Sequence, residues 1–239
     1  MATTETTKDE MKIYLDPTTV IDSDNPDIVD LALSLISDSM SYSEKAEKIF
    51  LFVRDKIRYN PYSPFHKEEF YVASTVLKRG YGYCIQKAVL LAAIGRAVGI
   101  PTRLGFADIK NHQLPKKMLE IQGTDTIYSH GFTELFIDGK WLKATPAFNV
   151  EMCDRLGLIP VEFDGKSDGV FHHLDRKGNI SIDYLKDLGN WPDLPMEHIL
   201  DSFVQLFGRE KYDGYIKIIE ELGYEEAFKL FGADAKEYP

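Results

Sequence analysis

Cys84 closes the run Arg79-Gly80-Tyr81-Gly82-Tyr83-Cys84, where a glycine-rich loop meets the apolar stretch Ile85-Gln86-Lys87-Ala88-Val89-Leu90-Leu91-Ala92-Ala93-Ile94. That stretch reads as a helix that is apolar almost all round, stopped by Gly99 and Pro101, and therefore buried at the centre of a domain. A thiol in its first turn faces backbone N–H groups that have no acceptor within the helix, and the helix dipole adds to their pull on an anion. The expected consequences are a Cys84 pKa below that of an ordinary thiol and a nucleophilic sulfur. The backbone N–H of Cys84 would also stabilise an oxyanion. Cys153 has no such setting and is expected to be a packing residue.

A thiol nucleophile needs a base. His130 lies in a β-rich run, Ile127 to Ile137, separated by Asp138-Gly139 from a second run, Lys140 to Thr145; Asp-Gly between two such runs signals a tight hairpin. A two-residue turn there pairs Ile137 with Lys140, Phe136 with Trp141, Glu134 with Lys143 and Phe132 with Thr145. Alternation then puts His130, Phe132, Glu134 and Phe136 on one face with Trp141, Lys143 and Thr145. Thr133, Leu135, Ile137, Leu142 and Ala144 point the other way. Thr145 falls diagonally beside His130, so a thiol, an imidazole and a hydroxyl able to orient the ring form a candidate catalytic set. Asn149, on the same parity just past Pro146, is the alternative third member. Glu134 and Lys143 are expected to form a cross-strand charge pair, and Phe136 and Trp141 an aromatic pair. Tyr81 and Tyr83 are candidate substrate contacts; with Tyr59 and Tyr62 they otherwise bury ring area around the loop. His172-His173 with Asp175 is not expected to hold a metal, because adjacent strand residues face opposite ways.

In order and spacing, Gly82-Tyr83-Cys84, Arg96-Ala97-Val98-Gly99-Ile100-Pro101-Thr102-Arg103, His130-Gly131-Phe132-Thr133-Glu134 and Trp141-Leu142-Lys143-Ala144-Thr145-Pro146 resemble the core of the transglutaminase-like superfamily, over roughly residues 45 to 150. The resemblance implies a papain-like α+β fold, a Cys-His-Asp triad, and acyl chemistry on amides by transamidation, deamidation or proteolysis. This chemistry requires no cofactor. One position departs from the family: its triad Asp, four residues after the Trp, is Thr145 here. A hydroxyl fixes a ring tautomer but brings no charge to face an imidazolium, and loss of the carboxylate in a related triad costs on the order of 10⁴ in rate.

The elements that must position these residues follow from local pattern. Asn25-Pro26 caps a helix running to about Ser37, and Ser41-Tyr42-Ser43-Glu44 is a capping box for a second, with Ala46, Ile49, Phe50, Val53 and Ile57 on its apolar face. Tyr59 to Phe70 reads as irregular, Ala73 to Lys78 as a short helix, and Thr102 to Ala107 as a strand. Asp108 to Asp125 reads as a long polar connection of the kind used as a binding lid. Beyond Phe148 come a short helix at Glu151 to Arg155, a hairpin near Val170 to Ile182 about Lys177-Gly178-Asn179, and helical segments from Met196 on. The expected organisation is a flexible lead (1–16), a transglutaminase-like catalytic domain (17–190) and a helical C-terminal extension (191–239). The central helix should pack on an antiparallel sheet.

With 239 residues and 44% hydrophobic composition, the chain can bury a sizeable core. A formal net charge of −10, without a clustered basic face, argues against nucleic acid as a partner. The polar start and the absence of a long apolar run predict a cytoplasmic protein that does not engage a membrane. Two cysteines are too few for a disulfide framework, and the acidic residues form no Ca²⁺ loop. The expected substrate is a protein, a peptide or a small amide. Two rivals stand beside this reading: an arylamine N-acetyltransferase-like acyl carrier, and a binding or scaffold protein that keeps the fold with a decayed triad. The first lacks its usual Asn four residues after the cysteine, which is Ala88 here; Thr145 favours the second.

Overall fold

The structure, a computed structural model, describes residues 11–230. Most of the expected lead and the last nine residues of the C-terminal extension lie outside the described residues. The helices are α1 (Pro26–Leu35), α2 (Tyr42–Lys56), α3 (Ala73–Arg79), α4 (Cys84–Ala97), α5 (Lys116–Gln122), α6 (Val150–Leu156), α7 (Met196–Phe207), α8 (Arg209–Leu222) and α9 (Tyr224–Leu230). The strands are β1 (Arg58–Tyr59), β2 (Tyr81–Gly82), β3 (Thr102–Asn111), β4 (Thr126–Ile137), β5 (Lys140–Ala144) and β6 (Ile182–Trp191). The protein is α+β: β5, β4, β3 and β6 form, in that order, one antiparallel sheet, and β1 and β2 form a separate parallel pair.

Helix α4 is the centre of the fold. Every residue from Cys84 to Arg96 is buried, with α1, α2 and α3 packed on it from one side and β3 and β4 from the other. Its neighbours begin where their capping residues say they should. Asn25 Oδ1 accepts the Asp27 N–H with Pro26 at the first position of α1, and Ser41 and Glu44 close the capping box of α2. All five apolar residues expected on the inner face of α2 are buried.

The β4–β5 hairpin has the expected register: Ile137 opposes Lys140, Phe136 opposes Trp141 and Glu134 opposes Lys143. Both turn residues are left-handed, Asp138 at φ 49° and Gly139 at φ 80°, as a tight hairpin turn requires. The Phe136 and Trp141 rings pack 5.2 Å apart between centroids. The expected Glu134–Lys143 ion pair does not form. Glu134 bonds Arg103 on the neighbouring strand β3, and Lys143 on β5 reaches Asp187 on β6, the opposite edge of the sheet, at 2.8 Å.

Two segments differ from expectation. The connection at 108–125 is shorter than its sequence suggests, since β3 continues to Asn111 and α5 occupies Lys116–Gln122. The hairpin near 170–182 closes only as a bridge between Leu174 and Ile180, and leads into β6, which the sequence reading missed. As an edge strand whose middle is exposed, β6 lacks the apolar alternation by which strands are recognised.

Candidate active site

The approach to Cys84 is held from three directions. Gly80, left-handed at φ 74°, ends α3, and β2 pairs with β1 so that Tyr59 lies opposite Gly82. Gln86 then ties the loop to the helix: its Oε1 accepts the Tyr83 N–H at 3.3 Å, and its Nε2 donates to the carbonyls of Pro64 at 2.6 Å and Phe70 at 3.1 Å. Cys84 emerges as the first residue of α4, only 6% exposed.

Gly131 brings β4 to the head of that helix. A Cβ on Gly131 would stand 2.9 Å from the Ile85 Cα, so only glycine allows this approach. The backbone N–H of Gly131, the residue after His130, is near enough to the Cys84 sulfur to favour its anion. His130 is 2% exposed, and its ring packs 4.8 Å from that of Phe171. Cys84 and His130 open on the same cavity, together with Ser129, Tyr83, Phe148 and Phe171.

Burial dominates the electrostatics. It pushes the Cys84 thiol up to about 11, outweighing the opposing bonds from the N–H groups of Gly131, Ile85 and Cys84 itself. The depressed thiol pKa expected from the helix start is thus corrected: the N–H groups are present, but water has been removed from the sulfur, and that loss is larger. Burial also pushes His130 down to about 3. Thiol and imidazole are both held neutral.

The third position is less committed than either. Thr145 is fully buried just beyond β5, its N–H donating to the Gly169 carbonyl at 2.8 Å. Neither Thr145 Oγ1 nor His130 Nε2 has a hydrogen-bond partner of good geometry among the described residues, so no such bond joins them. Tyr184 stands near both, its ring 6.4 Å from that of His130 and its phenol close enough to Thr145 to be influenced by it.

Asn149 is placed elsewhere. Its Oδ1 accepts the Tyr59 N–H at 2.7 Å, and its Nδ2 donates to the carbonyls of Ile57, at 2.9 Å, and Arg54. It is an anchor for the end of α2, not an orienter of the imidazole. Lys87, which sequence reasoning passed over as part of an apolar helix, serves the same end: Nζ is fully buried and donates to Arg54, Ile57 and Ala147 carbonyls at 2.9, 2.6 and 2.8 Å. A lysine inside a run otherwise free of charge was the available signal.

The two tyrosines separate. Tyr83 lines the cavity and donates its hydroxyl proton to Tyr71 Oη at 2.6 Å. Tyr81 does not line it; its ring lies between the guanidiniums of Arg58 and Arg79, 5.6 and 5.2 Å from the centroid. β2 ends at Gly82 and Tyr83 is the cap of α4, so the alternation that would have set the two tyrosines on one face stops between them. His173 turns to Asp183 at 2.8 Å and His172 to the Pro160 carbonyl at 3.2 Å, while Asp175 closes its own turn.

Sequence reasoning also missed the contribution of α7. Ser129, immediately before His130, is left-handed at φ 54°, within an irregularity of the β3–β4 register. Its hydroxyl lies 2.6 Å from Ser202 Oγ and 3.1 Å from His198 Nε2, both on α7, and its N–H donates to Asp108 Oδ1 at 3.1 Å.

A cysteine at the head of a buried helix, facing a histidine on an antiparallel sheet, defines a papain-like α+β protein. Residues 29–146 match the profile of the transglutaminase-like superfamily, and over this segment the chain belongs to it. Two solved structures are similar. A candidate cysteine protease from Cytophaga hutchinsonii is 18% identical with a TM-score of 0.49, the match covering 81% of this chain and 50% of that one. A candidate protease from Parabacteroides distasonis ATCC 8503 is 20% identical with a TM-score of 0.39, covering 57% and 26%. The chain thus spans half the length of the first and about a quarter of the second. No curated protein matches it. Among the described residues, no helix is long and apolar enough to cross a membrane.

Proposed function

We propose that the protein is a cysteine-dependent amide acyl-transfer enzyme, with Cys84 as nucleophile, His130 as general base and acid, and Thr145 as the residue beside the ring. The observation that carries this reading is the opening of Cys84 and His130 on one cavity, with the Gly131 N–H near the sulfur. In acylation the sulfur attacks the amide carbonyl while its proton passes to His130, and backbone N–H groups at the helix head receive the oxyanion. Collapse breaks the C–N bond, and the proton leaves on the amine. Water then attacks the thioester, with His130 taking its proton and returning it to sulfur as the acid departs. Because burial favours both neutral forms, the proton moves during attack instead of being stored beforehand as a thiolate–imidazolium pair. The Thr145 hydroxyl is available to Nε2–H as the imidazolium forms.

Hydrolysis is favoured over cross-linking, because among the described residues the cavity lining contains no carboxylate to hold a cationic amine acceptor. Among the described residues the same lining has no Lys or Arg for the phosphates of a coenzyme A donor, which weighs against the acetyltransferase-like rival. The absent bond between Thr145 and His130 favours a second reading, a binding protein that keeps the fold without catalysis. Iodoacetamide labelling at neutral pH, with Cys84 and Cys153 read separately by mass spectrometry, distinguishes the two. Catalysis requires Cys84 to react faster than Cys153 and to slow by about tenfold or more in His130→Ala. A Cys84 that reacts no faster than Cys153, and is indifferent to His130, establishes the binding protein instead.

A further inference from the structure

Among the described residues, the cavity over Cys84 is lined without a single Asp, Glu, Lys or Arg, in a chain that is 28% charged. Its walls include Leu114 and Met118 at α5, Met152 and Leu156 on α6, and Phe203 and Leu206 on α7. Its polar lining is neutral, notably the amides of Gln113 and Gln122 and the hydroxyls of Ser129 and Ser202. Its interior volume is about 110 Å³, less than the roughly 150 Å³ of a dry apolar cavity that admits benzene. These three features limit what can reach the sulfur. An ion entering would lose its hydration and gain no opposite charge. An extended polypeptide would bring an N–H and a C=O per residue, each needing a partner, into walls made largely of aliphatic and aromatic side chains. A compact apolar group has neither cost.

Resting on the acyl-transfer reading above, we infer that the substrate is a small uncharged amide whose acyl part is a compact apolar group held whole in the chamber, and not a bond within an extended polypeptide. The chamber disfavours charge by leaving it unpaired, and limits bulk by the walls that α5, α6 and α7 contribute beside Cys84 and His130.

The test uses the full-length protein with four probes: isovaleramide, neutral and short; succinamate, of similar size and anionic; diphenylacetamide, neutral and bulky; and casein. Ammonia release is measured, with acylation of Cys84 followed by peptide mapping and Cys84→Ser as the control. Isovaleramide is expected to exceed succinamate in kcat/KM by roughly 100-fold and to exceed diphenylacetamide as well, with casein neither cleaved nor deamidated. A Cys84 acyl-enzyme formed equally from succinamate, or turnover of casein at a comparable rate, would overturn the inference and leave the acyl-transfer reading intact. Absence of a Cys84 adduct with all four probes would overturn both.

Discussion

Neutral thiol and neutral imidazole share a buried chamber in this protein, and that pairing has opposite consequences at the two ends of the pH scale. The His130 pKa, about 3 in the fold, is below the ordinary value of about 6.5. The unfolded chain therefore binds the proton more strongly, so the stabilising contribution is complete above the ordinary value and is lost as pH falls toward the folded one. For Cys84, raised to about 11 from an ordinary value near 8.5, the contribution is complete below the ordinary value and is lost as pH rises through the folded one. Urea midpoints of the wild type and His130→Gln, measured at neutral and acid pH, check the first consequence. The substitution should flatten the acid loss of stability, and parallel losses in both proteins would contradict the burial argument.

Among the helices, α7 holds by side-chain hydrogen bonds the residue that precedes the histidine. Each hydroxyl in its contact with β4 has one proton, and Ser202 Oγ donates to the His198 carbonyl at 2.9 Å. Ser129 must then donate to Ser202, and His198 Nε2–H to Ser129, which closes a circuit around the left-handed residue that precedes His130. A non-glycine residue in that conformation costs about 1–2 kcal/mol, and register irregularities of this kind re-aim side chains next to active sites. Ser202→Ala should cost about 1 kcal/mol of stability and lower kcat with little change in KM. Ser202→Thr should restore kcat; a variant that loses stability alone would make the contact structural only. Sequence pattern could not reveal this circuit, since nothing within Met196–Phe207 says which strand its serine will meet. The hairpin was legible for the opposite reason: Asp138-Gly139 and a period of two are local.

For the molecule as a whole, helix α7 completes the cavity begun by the superfamily core. Phe203 on α7 packs 4.3 Å from Phe65 and 6.1 Å from Tyr83 between ring centroids, so the segment beyond residue 146 meets the loop that leads to the cysteine. Tyr224, from α9, accepts the Phe65 N–H at 3.1 Å and fastens the segment between β1 and α3. Phe203→Ala should cost about 2–3 kcal/mol and speed iodoacetamide labelling of Cys84 in the still-folded protein. Unchanged labelling at full folding would mean that α7 does not limit access to the sulfur.

By itself the sequence determined which residues begin α1, α2 and α4, the register of the hairpin, and the likeness that joins Cys84, His130 and Thr145, because caps, turn residues and alternation act over a few positions. The tertiary structure decided the rest. It turned Tyr81 away, committed Asn149 and Lys87 to the end of α2, gathered three helices over the thiol, and reversed the expected direction of its pKa. Those outcomes depend on how much water is left around each group once distant segments have packed, and no local pattern along a chain records that.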